Sequence, residues 1–341
     1  MAEQIIRYLG IGIEDKYAVS PDEYGADIAS EIHLDIASAD LDTPDDSILT
    51  YDGGIGRSQR TIRPGAYIPS GSINYALDIN TIAYLLYLVL GNGEQVDPDT
   101  TTNKYIFTSG QNIKLPGATF YLAKDLFIHK FLGTVINQLT ITVDNEFAEA
   151  SFDVIAQKDA DGGAVVADLS TLDLPTEYPL AFHEVTFSLN DFGQAVAEKE
   201  VENITLTINN NTDNTGGVVL GSRYPKYMLA QNLEVTVSFD IAFENKDEIE
   251  DFWGQAGGPA NKTPVEKVIE IDFDAGTDGK LNINLPKAFY NNINTQASGR
   301  DRLIQTIEVQ TLLDVENNNP DIIATLENNN EYAWVEDNTT P

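Results

Sequence analysis

The residues able to do chemistry are few. Three histidines, His33, His129 and His183, are spread over 341 residues, and there is no cysteine. None of the three accompanies a serine motif, and no G-x-S-x-G occurs. His33 falls on the polar side of an alternating segment, His129 lies between Ile128 and Lys130, and His183 begins a segment. Each therefore reads as a structural or solvated side chain and not as a tuned base. The lack of cysteine excludes disulfides and thiolate metal sites. Asp272, Asp274, Asp278 and Gly279 (DFDAGTDGK) faintly suggest a calcium loop. Their spacing is not that of an EF-hand and the bidentate glutamate is missing, so a β-turn is the simpler reading. Gly53, Gly54 and Gly56 lack the following helix and lysine of a phosphate loop. Asn203, Asn210, Asn261 and Asn338 open N-x-T sequons, a short and common motif that matters only on an extracellular surface. No catalytic residue, cofactor site or metal site is expected.

The arginines carry a clearer signal. Arg57, Arg60 and Arg63 are three of only seven, and they fall within seven residues. In so acidic a chain, a concentrated basic loop suggests docking onto an acidic surface, including another copy of the chain. The competing reading is a local ion-pair network, whose exposed pairs are each worth little.

The formal net charge is −34, from 54 acidic and 20 basic residues. This opposes wrapping of nucleic acid through phosphate contacts and adsorption to an anionic membrane. Acids are scattered along the whole chain, which implies an acidic folded surface whose self-repulsion needs screening. Work in high salt, as in a halophile, is expected; an ordinary acidic protein is the alternative. Residues 1–17 lack a basic and then apolar pattern, so no signal peptide is expected. The longest uncharged apolar run, 82–90, falls short of the ~20 residues that span a bilayer.

The elements that position these residues come in two rounds. Residues 57–91 read as a basic, proline-broken loop, an alternating strand and an apolar helix, with Asn80 or Thr81 as its cap and Gly91 at its end. Residues 221–254 repeat the plan more loosely, and each strand contains an Asp-Ile pair (Asp78–Ile79 and Asp240–Ile241). Strands are expected near 5–13, 31–37, 105–107, 118–123, 126–131, 134–143 and 146–155. In the second round they are expected at 183–189, 202–208, 233–243, 265–273, 279–285 and 303–313, the last echoing 134–143. A helix is expected at 246–253. The pattern gives two domains, 1–165 and 181–315, a linker at 166–180, and an Asn-rich acidic tail at 316–341 that is mobile or ordered by a partner. The fold class is mainly β, with two tandem units of sandwich or small-barrel packing and one short α-helix in each.

The stretch GRSQRTIRPGAYIPSGSINYALDINTIAYLLYLVLG resembles the corresponding region of tail tube proteins of long-tailed viruses. GIGIEDKY is similar to that family's start, and KFLGTVINQLTITVDNEFAEASFDVIAQ to its middle hairpin. The resemblance covers most of 5–315, and the acidic bias is similar to that of viruses of halophilic archaea. It implies a non-enzymatic virion protein of the tail, present in the host cytoplasm during assembly, and tail-tube-like units that join into stacked rings. An inner barrel would pass viral DNA without binding it specifically, and other tail proteins would be partners. Two units per chain imply a trimeric, pseudo-sixfold ring, with six chains as the alternative. Asp78, Glu234 and Asp240 are the expected lumen-lining acids, and Arg57, Arg60 and Arg63 the contacts between subunits. A capsid- or surface-decorating β-sandwich is the competing reading, and a carbohydrate-active hydrolase the third.

Overall fold

A computed structural model describes residues 7–14, 28–44, 48–51, 61–98, 102–110, 114–165, 172, 174–213, 217–259, 265–296, 302–332, 334 and 336–337. The first round contains β1 (Leu9–Ile13), β2 (Ile32–Leu34), β3 (Ser38–Ala39), β4 (Ile48–Tyr51), β5 (Thr61–Pro64) and β6 (Ser70–Ala76). It continues with α1 (Ile82–Leu90), β7 (Gly91–Pro98), β8 (Asn103–Ser109), β9 (Ala118–Lys124), β10 (Phe127–Val143), β11 (Glu149–Ile155) and β12 (Lys158–Ala164). The second contains β13 (Val185–Asp191), β14 (Ala197–Glu198), β15 (Asn203–Asn209), β16 (Glu234–Ala242) and α2 (Asp247–Trp253). After it come β17 (Glu266–Asp274), β18 (Gly279–Gln296), β19 (Ile304–Thr311), β20 (Ile323–Asn328) and β21 (Glu336–Asp337).

The pairing repeats. In the first round β3, β6, β11 and β10 are neighbours in that order; in the second, β15, β16, β19 and β18 are. The two sets are joined by β10 against β15, which makes one antiparallel sheet of eight strands. The long strands β10 and β18 each leave this sheet at a bulge, between Ile136 and Gln138 and between Tyr290 and Asn292. Their first halves enter outer ladders, β2-β1-β9-β10-β12 and β14-β13-β17-β18-β20. The second ladder continues through β8 and β7 to β21. No ladder among the described residues closes on itself, so the sheets are open, and the barrel form of the expectation is replaced by layered open sheets.

This pairing corrects two expected echoes. The counterpart of β19 is β11, not β10, because both lie between the strand before the helix and the long bulged strand. The Asp-Ile echo is misaligned by four residues: Ser151 faces Asn74 as Thr306 faces Asp240, so Asp240 corresponds to Asn74 and not to Asp78. Segments 126–131 and 134–143 form one strand, with Gly133 at φ 61. The expected linker is not loose at its end. Leu180 is buried and donates its N–H to the Leu77 carbonyl at 2.9 Å.

The 316–341 tail also needs correction. It contains β20, held on both edges by β18 and β8, with Ala324 and Leu326 in the core. Beyond it, Tyr332 and Trp334 are buried against α1, with the Tyr87 and Trp334 rings 4.6 Å apart. Alternating Ile322, Ala324 and Leu326 make the strand despite the Asn-rich flanks, since a ladder paired on both sides needs only one apolar face.

The core is organised around α1. All nine of its residues are buried, which on transfer grounds is worth about 1.5–3 kcal/mol for each large aliphatic side chain. Gly91 ends it at φ 82, donating its N–H to the Tyr87 carbonyl. Its N-cap, Thr81, makes no side-chain cap bond. The other helix, α2, sits on charge. Glu248 is buried beneath it and accepts from Lys199 Nζ at 2.5 Å and from the Tyr290 hydroxyl. Lys267, also buried, donates to Asp191 at 2.7 Å and to Asp251.

Candidate assembly surface

Each strand of the eight-stranded sheet alternates, and the apolar set faces the core. On β16 these are Val235, Val237, Phe239 and Ile241; on β10, Leu139, Ile141 and Val143. The opposite face is polar along its whole width. It carries Ser72 and Asn74 from β6, Glu149, Ser151 and Asp153 from β11, and Gln138, Thr140 and Thr142 from β10. Beyond the joint follow Asn203, Thr205, Thr207 and Asn209 from β15, and Glu234, Thr236, Ser238 and Asp240 from β16. Thr306, Glu308 and Gln310 from β19, with Asn292 and Asn294 from β18, complete it. Five of the residues just named are carboxylates, and none is a lysine or arginine.

Short polar partners fix the acids. Asp240 accepts from Asn203 Nδ2 at 2.7 Å and from the Thr306 hydroxyl at 2.5 Å. Asn292 Nδ2 donates to Glu308 at 3.3 Å, and the Thr140 and Thr207 hydroxyls meet across the joint at 3.5 Å. Burial, with the charge of Asp40 adding to it, raises the Asp153 pKa above the usual carboxylate range.

The residues singled out from sequence fall apart into separate places. Glu234 is exposed and Asp240 half-buried on the polar face. Asp78 is not outward-facing: only 6% of it is exposed, and it accepts N–H groups from Asn80 (2.8 Å) and Tyr178. Burial raises its pKa, although these hydrogen bonds oppose the shift. Lying past the end of β6, it ties the turn before α1 to the segment around Pro179. Arg63 is exposed on β5, whereas Arg57 and Arg60 lie outside the described residues. Among the described residues β4 and β5 pair only with each other and expose Ile48, Leu49 and Ile62. Such a two-stranded hairpin is marginal by itself in water.

Sequence reasoning passed over Arg223. Its Nε donates to the Gly65 carbonyl at 2.9 Å, its guanidinium lies 5.5 Å from the Tyr67 ring centroid, and its carbonyl accepts the Tyr67 N–H at 2.8 Å. It binds the base of the β4–β5 hairpin to the second round, and the arginine soon after a glycine in each copy (Gly56–Arg57, Gly221–Arg223) was the available signal. His129 is likewise more than solvated. It donates from Nε2 to Asp159 at 2.8 Å, while Lys124 Nζ lies 3.2 Å from its Nδ1. His33 bonds to the Ser30 hydroxyl at 3.1 Å, and His183 lies in the short 3-10 turn Phe182–Glu184. Asn210 is buried and Asn203 holds Asp240, so these two sequons serve the fold; Asn261 and Asn338, like Gly53, Gly54 and Gly56, lie outside the described residues. Asp274 closes the β17–β18 turn, accepting from Gly276 N–H at 2.9 Å and Lys280 Nζ at 2.7 Å. No helix among the described residues is long and apolar enough to cross a membrane.

Open antiparallel sheets, an uninterrupted polar face without basic groups and an isolated hairpin describe a structural β protein that offers surfaces. The sequence profile of the phage tail tube protein family matches residues 7–311, and the chain belongs to that family. Membership implies self-assembly, contact with other tail proteins and a place in the virion tail, and it suggests a non-enzymatic role. No curated protein sequence matches the chain.

Proposed function

We propose that this chain is the tail tube subunit of a long-tailed virus of a halophilic archaeon. It forms rings that stack into the conduit through which viral DNA leaves the particle. The reading rests above all on the eight-stranded sheet with its base-free polar face. Two equivalent four-stranded sets in one chain supply a third of a closed wall, so three chains complete a pseudo-sixfold ring. Six chains per ring, with the second unit decorating the outside, is the alternative. The units are those expected from the sequence, 1–165 and 181–315, with β20 added to the second by its pairing with β18.

Glu234 and Asp240, joined by Glu149, Asp153 and Glu308, give the lumen its charge. A wall that repels phosphates lets DNA slide, whereas lysines or arginines there would hold it through counterion release. Arg57, Arg60 and Arg63 dock the hairpin onto an acidic surface of a neighbouring subunit or ring. The net charge of −34 suits assembly in high salt, where screening falls to about 3 Å at 1 M.

Negative-stain microscopy of the purified protein across a salt series, from dilute buffer to multimolar, tests this. Hollow tubes of uniform width at high salt are expected, and their cross-section gives the ring count. Monodisperse small particles at every salt, even with initiator proteins added, would overturn the reading in favour of a decorating module.

A further inference from the structure

The joint inside the chain is a template for a joint between chains. Residues 138–143 of β10 run antiparallel to 204–209 of β15, with Thr140 opposite Thr207. The counterpart of that part of β10 is the far end of β18. Each follows a bulge, and each keeps the same register with its hairpin partner, so Thr140 corresponds to Asn294. The counterpart of β15 is β3 and its continuation to residue 42. Asn203 faces Asp240 as Ser38 faces Asn74, and Thr207 faces Thr236 as Asp42 faces Ser70. Thr207 therefore corresponds to Asp42. Among the described residues, 292–296 pair only with β19 and 38–42 only with β6, so both counterparts are open edges.

Unpaired edges invite another strand. We propose that a second copy of this chain lays residues 292–296 of β18 antiparallel along residues 40–44, in the register of the internal joint, with Asn294 opposite Asp42. This deepens the tube reading and rests on it. A groove beside β3, lined by Ser38, Asp40, Leu41, Leu122 and Lys124, receives the incoming strand.

The seam has its own chemistry. Where the internal joint sets hydroxyl against hydroxyl, the seam sets an amide against a carboxylate, a donor–acceptor pair that the acceptor-only Asp42 edge cannot make with a copy of itself. Both groups are accessible: Asn294 is exposed, and the Asp42 side chain is 69% exposed.

The edge is also guarded. Asp40 donates its N–H to the Ser72 carbonyl, so the backbone groups of Leu41 point away from β6. Lys124 Nζ donates to that Leu41 carbonyl at 3.0 Å and lies 3.4 Å from the Asp42 carboxylate. A lysine across a strand edge discourages indiscriminate pairing and must swing aside when the partner strand arrives.

The absence of native cysteine makes the test clean. Chains carrying Asp42→Cys and chains carrying Asn294→Cys are mixed, assembled at high salt and oxidised. A disulfide-linked pair is expected, since residues directly opposite on paired strands come within bridging distance. Asp40→Cys mixed with Asn294→Cys, two residues out of register, should stay unlinked. A chain carrying both Asp42→Cys and Asn294→Cys should give a covalent series that stops at three. Tubes seen by microscopy without the linked pair would overturn the seam and leave the tube reading standing. Neither tubes nor linked pair would overturn both.

Discussion

The side-chain amide of Asn210 donates to the carbonyl of Val89 at 2.9 Å, joining the second round of the chain to the last turn of α1 in the first. The same amide reaches the Ile136 carbonyl at 3.3 Å, beside the bulge where β10 changes sheets. Only 4% of Asn210 is exposed, so both bonds are made away from water. Asn210→Ala should lower unfolding stability by about 1–3 kcal/mol, the usual cost of stranding buried polar groups. Denaturant titration checks this, and an unchanged midpoint would contradict the clamp.

Trp334 is predicted to matter as a core residue. It packs on Tyr84, Tyr87 and Phe107 and covers α1. Trp334→Ala should cost about 3–5 kcal/mol, as for other buried aromatic truncations. A thermal melt within a degree of the parent would return residues 316–341 to the status of a dispensable tail.

Acid should loosen α2. Burial alone would raise the Glu248 pKa, but hydrogen bonds from Lys199 and Tyr290 outweigh it, and the net pKa lies below the usual glutamate value. Such a group contributes stability that is complete above about pH 4.3 and drains as pH falls toward the lowered folded value. Glu248→Gln should therefore lose stability at neutral pH and show a flatter acid limb. The check is a set of unfolding midpoints between pH 7 and pH 3, in parent and variant.

Charge on the polar face should govern passage of DNA and not folding. Thr140→Lys with Thr207→Lys puts two ammonium groups where two hydroxyls now meet. Tubes of this variant should retain duplex DNA at low salt and release it as salt rises, while parent tubes retain none. Equal retention by both in a filter-binding assay would remove these strands from the lumen wall.

Gly71 should control the edge strand. A Cβ there would lie 2.4 Å from Leu41 Cα and 2.6 Å from its nitrogen, both backbone atoms that cannot yield. Gly71→Ala is expected to push β3 off β6 and abolish tube growth while the monomer stays folded. Limited proteolysis near residues 37–44 and microscopy together read the outcome, and normal tubes would show that this edge is not used.

What could be read in the sequence depended on how strongly apolar residues report their position. The run 82–90 with Gly91 behind it gave α1 to the residue, because every side chain is buried and the glycine must be left-handed. The strict alternation of 233–243 gave β16, because one face meets the core and the other meets solvent. Where burial is incomplete the signal faded. The sequence of β12, KDADGGA, has almost no apolar content, and its place comes from pairing with β10. The strand expected at 279–285 stops before Pro286, yet β18 runs through it, at a register shift that spares a proline its missing N–H. Asp78 and Asp240 matched as letters, but their roles diverged because pairing, not dipeptide identity, sets which face a side chain takes.

The ladder between 138–143 and 204–209 is made once, as the chain folds, and dilution cannot undo it. Any polymer grown from this chain thus receives alternate contacts at synthesis and only the remainder by collision. Its critical concentration reflects fewer encounters than separate units would require. The covalent link also fixes an order of monomers: a unit built on the apolar α1 is always followed by one built on the charge-seated α2. The two cannot mix at random, so differences accumulated by either one would appear at every second position of the polymer.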